Sequence, residues 1–72
     1  MSKKILIIIP VLNEVDNVLN IFSKIKKILK KNYELLFIDD NSSDGTIEKI
    51  KFIQKKNKNV FLFIRPKKLG IG

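Results

Sequence analysis

Two periods alternate along this chain. Lys4-Ile5-Leu6-Ile7-Ile8-Ile9 is a continuous β-branched run stopped by Pro10, and it predicts a first strand over Lys4–Ile9 covered on both faces. From Asn13 the period lengthens. Val15, Val18, Leu19, Phe22, Ile25, Ile28 and Leu29 recur at helical spacing, with Lys24, Lys26, Lys27, Lys30 and Lys31 on or beside the solvent face. Asn13 is the expected N-cap, with Glu14 and Asp16 in a first turn whose dipole favours anions and the lysines in last turns that favour cations. Tyr33 to Ile38 is a second apolar run ending at Asp39, and Asp40-Asn41-Ser42-Ser43-Asp44-Gly45 is a dense cluster of turn formers. A second helix is predicted from Thr46 to Lys56, with Ile47, Ile50 and Ile53 on one face. Asn57 to Asn59 break it, and Val60 to Ile64 form a third strand ending at Arg65-Pro66. This β-α-β-α-β order, with helices long enough for right-handed crossovers, predicts an α/β fold. Its sheet is three-stranded and parallel, of order 3-2-1, with both helices on one face.

Composition narrows the chemistry. At 72 residues the chain is at most one domain, and one this small buries only about 60% of its unfolded surface. Its 44% hydrophobic content is that of a globular chain. It has no Cys and no His, so thiolate metal sites, disulfides and the commonest general base are all excluded. Carboxylates, hydroxyls, amines and backbone groups remain. The apolar run from Ile5 to Leu12 is far shorter than the roughly 20 residues of a bilayer span. Lys3 and Lys4 ahead of it suggest a signal peptide, but Asn13, Glu14 and Asp16 follow directly and no small-residue cleavage site is present. A strand is the better reading. That strand would ordinarily lie inside a sheet, beside a fourth strand these residues do not contain. One apolar face and one edge are therefore expected to stay open, leaving the chain marginally folded and prone to associate.

Charge is unevenly placed. Residues 1–38 carry a net +4, residues 39–48 a net −4 with no basic side chain, and residues 49–72 a net +8 with no acidic one. The acidic segment falls at a strand terminus, and the carboxyl ends of parallel strands are where such folds bind ligands. Pro10 to Glu14, Asp39 to Gly45 and Arg65 to Gly72 would line that edge. Successive residues leaving a strand point to opposite sides, so Asp39 and Asp40 are expected to divide their work. One braces the loop; the other faces the crevice and accepts from a ligand N–H or hydroxyl. A plain pair of turn and capping residues is the alternative. A metal site on this pair is the weaker reading, since adjacent carboxylates rarely reach one ion. Asp44 or Ser43 is read as an N-cap and Gly45 as a tight-turn residue. Glu14 reads equally as a sugar-hydroxyl acceptor or a first-turn dipole partner. Arg65, Lys67 and Lys68 with Gly70 and Gly72 suit either phosphates or a solvated basic loop. No G-x-G-x-x-G or G-x-x-x-x-G-K-[ST] is present, which lowers dinucleotide and P-loop readings.

Three segments, Ile8-Ile9-Pro10-Val11-Leu12-Asn13-Glu14, Phe37 to Thr46, and Arg65-Pro66-Lys67-Lys68-Leu69-Gly70-Ile71-Gly72, resemble the start of family 2 glycosyltransferases. Within that family the closest likeness is to the dolichol-phosphate (polyprenol-phosphate) mannosyltransferase group. The resemblance covers essentially all of the chain, as a partial domain over residues 1–72, and implies the nucleotide-binding first half of a GT-A, Rossmann-like fold. It implies that Pro10 and Glu14 line a nucleotide-sugar site, that Asp40 accepts hydrogen bonds from the base, and that Ile38 touches base or ribose. Lys68 and its neighbours would lie near the phosphates. The family commonly carries an aromatic residue where this chain has Leu12, so stacking there becomes aliphatic packing. The implied activity is hexosyl transfer, of mannose or glucose, from a nucleotide diphosphate sugar such as GDP-mannose to a polyprenol phosphate or other glycan acceptor. Mg²⁺ or Mn²⁺ would assist through a D-x-D motif after a fourth strand, and that motif is not among these residues. The resemblance thus implies an amino-terminal portion without activity of its own. It also implies a cytoplasmic location, with membrane association open through the acceptor.

Two other classes fit parts of the pattern. A basic nucleic-acid-binding module would explain the net charge of +8, but the lysines are not interleaved with aromatics and the acidic loop lies where phosphates would approach. No nucleic-acid partner is expected. A receiver-like or flavodoxin-like domain would place its acidic pair after the first strand, whereas here it follows the second.

Overall fold

A computed structural model of the chain describes residues 4–30 and 32–66. Lys31, Lys3 and the segment Lys67–Gly72, including Lys68, lie outside the described residues. Five elements follow one another: β1 (Ile5–Val11), α1 (Val18–Leu29), β2 (Tyr33–Asp39), α2 (Thr46–Lys56) and β3 (Val60–Ile64). The strands form one sheet of order β1-β2-β3, and both pairings are parallel. Ile7, Leu35 and Val60 share one row of the register; Ile8, Leu36 and Phe61 share the next.

Alternation along β2 shows where the core lies. Tyr33, Leu35, Phe37 and Asp39 are buried, while Glu34, Leu36 and Ile38 between them are only half-buried. The first set faces the helices. Val18 and Phe22 of α1 and Ile50 and Ile53 of α2 join Val11, Tyr33, Leu35, Phe37 and Val60 in one cluster, so both helices cover the same face. Asn59 and Asn57 trim the α2–β3 turn, the first donating through Nδ2 to the Tyr33 carbonyl at 3.1 Å and the second to Ile53 at 2.9 Å.

Three expectations need correction. β1 runs through Pro10 to Val11 instead of stopping at Ile9. The Asp40 N–H donates to the Val11 carbonyl, so Val11 turns its polar groups toward β2 and its neighbour Pro10 turns them to the open edge. Pro10 therefore removes no ladder donor, a setting in which an edge strand tolerates it. Nor is β1 covered on both faces: Leu6 and Ile8 are 56% and 54% exposed, on the side opposite the helices. Finally, α1 starts at Val18 with Asn17 at the cap position, four residues later than Asn13 would give. Asn13 has φ 51°, and residues 14–17 form a separate turn in which the Asn17 and Val18 N–H groups both donate to the Glu14 carbonyl. The buried stripe is correspondingly narrow. Val18 and Phe22 are buried and Ile25 and Leu29 half-buried, while Leu19 and Ile28 stay exposed. Among the described residues no helix is long and apolar enough to cross a membrane.

Candidate nucleotide-sugar site

Two loops leave the carboxyl ends of β1 and β2 side by side, and their polar residues tie them together. The Asn13 N–H donates to the Ser42 hydroxyl at 2.8 Å, and that hydroxyl donates to Asp39 Oδ2 at 2.7 Å. One step along, the Glu14 N–H donates to the Thr46 hydroxyl at 2.9 Å, and that hydroxyl in turn donates to Asp44. The Val15 N–H reaches Asp44 Oδ2 directly at 3.2 Å. In the other direction the Ser43 N–H donates to Asn13 Oδ1 at 2.9 Å. Three consecutive backbone donors of the first loop are thus satisfied by the second, which removes the main cost of fixing an irregular segment.

Each acidic residue has a separate circumstance. Asp39 is fully buried, and its carboxylate accepts from the Ser42 N–H at 2.6 Å and the Ser42 hydroxyl. It is the brace. Asp44 is exposed; the Thr46 hydroxyl, and then the Val15 and Thr46 N–H groups, hold its carboxyl below the ordinary 3.8, against a smaller desolvation effect. It also accepts from the Thr46 N–H at 3.0 Å, but from one residue ahead of the cap, so neither Asp44 nor Ser43 takes the expected N-cap position. The cap position itself is Gly45, whose φ of 101° is the left-handed conformation a glycine adopts at low cost. Asp40 points the other way. It is exposed, and its Oδ1 lies 3.0 Å from Arg65 Nε.

The structure brings some of the expected site residues together. Pro10 and Ile38 are register partners, and Phe63 follows beyond Ile38 in the same row. Asp40 lies two positions beyond Ile38, past the end of β2 and bonded to β1 through its N–H. Leu12 is exposed just beyond β1. Pro10, Leu12, Ile38 and Asp40 thus share the sheet's carboxyl edge. Glu14 stands apart from them. Its N–H is held at the start of α2, and its carboxylate accepts from Asn17 Nδ2 at 3.0 Å, within its own turn. Lys68 lies outside the described residues. As to a divalent cation, no group of three or more acidic side chains among the described residues is placed to hold one. Asp39 and Asp44 are already engaged with Ser42, Thr46 and Val15, so these loops do not fit a metal.

The sequence profile of Glycosyl transferase family 2 matches residues 6–72. The chain belongs to that family. Two dolichol-phosphate mannosyltransferases are similar to it. That of Saccharomyces cerevisiae is 29% identical over 76 aligned positions, covering 100% of this chain and 28% of the yeast protein. That of Pyrococcus furiosus is 41% identical over 54 positions, covering 74% of this chain and 15% of the archaeal one. The chain therefore spans less than a third of the length of these relatives. The parallel sheet of this family 2 member is that of the amino-terminal part of a GT-A, Rossmann-like fold.

Sequence reasoning did not assign Asn13, Ser42 and Thr46 to the site. The signal was present in the string Asp39-Asp40-Asn41-Ser42-Ser43-Asp44-Gly45-Thr46, which sets three hydroxyls among three carboxylates. What it lacked was the partner loop, 29 to 32 residues away. The pairing of Asp40 with Arg65 likewise joins two strand ends that lie a helix and a strand apart in sequence.

Proposed function

We propose that this chain forms the nucleotide-sugar-binding front of a hexosyltransferase, which moves mannose or glucose from a nucleotide diphosphate sugar to a polyprenol phosphate or other glycan acceptor. Family membership supports the transferase, and the names of the two relatives support the class of acceptor. The observation that carries the reading is the division between Asp39 and Asp40: one carboxylate is buried and consumed by Ser42, the other is exposed at the carboxyl edge of the sheet. A carboxylate held there accepts hydrogen bonds from the N–H groups of a base, and Ile38, Pro10 and Leu12 give its ring an apolar floor and flank. Glu14 contributes a second acceptor through the oxygen that Asn17 leaves free, and its role is with the ribose or sugar hydroxyls. Lys68 meets the phosphates in this reading. A divalent cation, where the family uses one, would supply charge neutralisation at the diphosphate; its ligands would come from residues other than those described. The same proposal puts the reaction on the cytoplasmic side, at the membrane surface through the acceptor.

Titration of the chain with GDP-mannose and UDP-glucose, followed by NMR, tests this. The expected affinity is near millimolar, corresponding to about −4 kcal/mol. Asp40→Ala should abolish the shifts, whereas Asp44→Ala should lower stability and leave affinity unchanged in the folded fraction. A radiolabelled-donor assay with polyprenol phosphate should give no product from the 72-residue chain, with or without Mg²⁺ or Mn²⁺. Equal loss of affinity in the two variants would overturn the assignment, and metal-dependent product would show that the catalytic groups lie within this chain.

A further inference from the structure

Asp40 differs from its acidic neighbours in what holds it. Asp39 and Asp44 are each fixed by a hydroxyl and by backbone N–H groups of the loops. Among the described residues the Asp40 carboxylate has one partner, the Arg65 guanidinium, which comes from a different strand end. Both residues are anchored through their backbones. The Asp40 N–H donates to the Val11 carbonyl at 3.1 Å, and the Arg65 N–H donates to the Asp39 carbonyl at 2.7 Å, extending the β3 ladder by one residue. The ion pair therefore spans two rigid strand ends and does not link two free loops.

The side chains are 61% and 46% exposed, and ion pairs in that setting add little to folding. The pair's place suggests another use. A carboxylate has about four acceptor positions, so an oxygen engaged by Arg65 leaves room for a base N–H. We infer that Arg65 is a positioning residue for the nucleotide. It fixes the direction of the Asp40 carboxylate, so that Asp40 presents its free lone pairs to the base in one orientation. This rests on the base-contact reading of Asp40 given above.

The test uses the chain with guanosine, uridine, GDP, UDP and inorganic pyrophosphate as NMR probes. Arg65→Gln should weaken nucleosides and nucleotides alike by about tenfold, the loss of one charge-assisted hydrogen bond's worth of orientation. Arg65→Lys, which keeps the charge but not the planar fork, should fall between. The thermal unfolding midpoint should be unchanged in both. Pyrophosphate binding should be unaffected, and Arg65→Gln should add nothing in an Asp40→Asn background. Loss confined to GDP, UDP and pyrophosphate would overturn the proposal in favour of a phosphate contact. Additive losses from the two substitutions would overturn it too. If Asp40→Asn weakens the nucleosides and Arg65→Gln does not, only this inference falls. If Asp40→Asn changes nothing, or the unaltered chain binds none of the nucleosides and nucleotides, the base-contact reading falls with it.

Discussion

A fully buried carboxylate at Asp39 is tolerable because Ser42 supplies a backbone N–H at 2.6 Å and a hydroxyl at 2.7 Å. Ser42→Ala removes the hydroxyl donor and at the same time strips the Asn13 N–H of its acceptor. It should cost about 1–3 kcal/mol in urea unfolding, the range for leaving a buried polar group short of a partner. A loss below about 0.5 kcal/mol would mean that water replaces the hydroxyl on both sides. Asp44 makes a pH prediction. Its folded pKa lies below the ordinary 3.8, so the stability it contributes is present above that value and declines as pH falls through the folded pKa. Asp44→Asn should therefore be less stable than the unaltered chain at neutral pH, with the gap narrowing under acid. A gap that is constant down to pH values below 3.8 would show that its hydrogen bonds do not depend on its charge.

At the scale of elements, Gly45 sets where α2 begins. A Cβ there would meet Val15 Cγ2 at 3.5 Å, an ordinary contact, so crowding is not the obstacle. Backbone conformation is. Gly45→Ala should destabilise the chain by about 1–2 kcal/mol, the cost of a left-handed residue with a side chain, read as a fall in the urea midpoint at constant slope. An unchanged midpoint would mean the turn relaxes to a different conformation. All five elements were legible in the sequence, because strand runs of β-branched residues and helical spacings do not depend on distant partners. The start of α1 was not. Asn13 has the chemistry of a cap, but Ser42 and Ser43, from another loop, claim its N–H and its amide oxygen. The end of β1 was missed for a related reason: Pro10 stops a central strand, and whether a strand is central is a property of the sheet. Of the site, the opposition of Asp39 and Asp40 follows from strand alternation alone. The partner of Asp40 does not, since Arg65 comes from another strand end; that of Glu14 does not either, since Asn17 holds it in a turn that exists only because α1 starts late.

Taken whole, the molecule is a sheet with helices on one side. Leu6, Ile8, Leu36, Ile38, Phe61 and Phe63 lie on the other, and Phe63 is 56% exposed. The chain should accordingly sediment as a concentration-dependent mixture of oligomers. Phe63→Glu should shift that mixture toward monomer without lowering helical content, because Phe63 belongs to no part of the buried core. A sharp, reversible unfolding transition of the unaltered chain that does not vary with concentration would contradict this, since a contiguous apolar face of such size rarely stays unpaired.

The clasp between the β1–α1 and β2–α2 loops also governs the order of events in folding. Its hydrogen bonds join residues 29 to 32 apart in sequence, with the whole of α1 between them. None can form before β1 and β2 have found each other, and each is easier once another is made. The amides of Asn13, Glu14, Val15 and Ser43 should therefore exchange with solvent as a group, at the rate of the opening that separates β1 from β2, and slower than that of Lys58 in the exposed part of the α2–β3 turn. Exchange at four unrelated rates would mean that the loops are ordered independently. A common rate would make the ligand-facing edge a late and collective product of folding, absent from any partly assembled form of the chain.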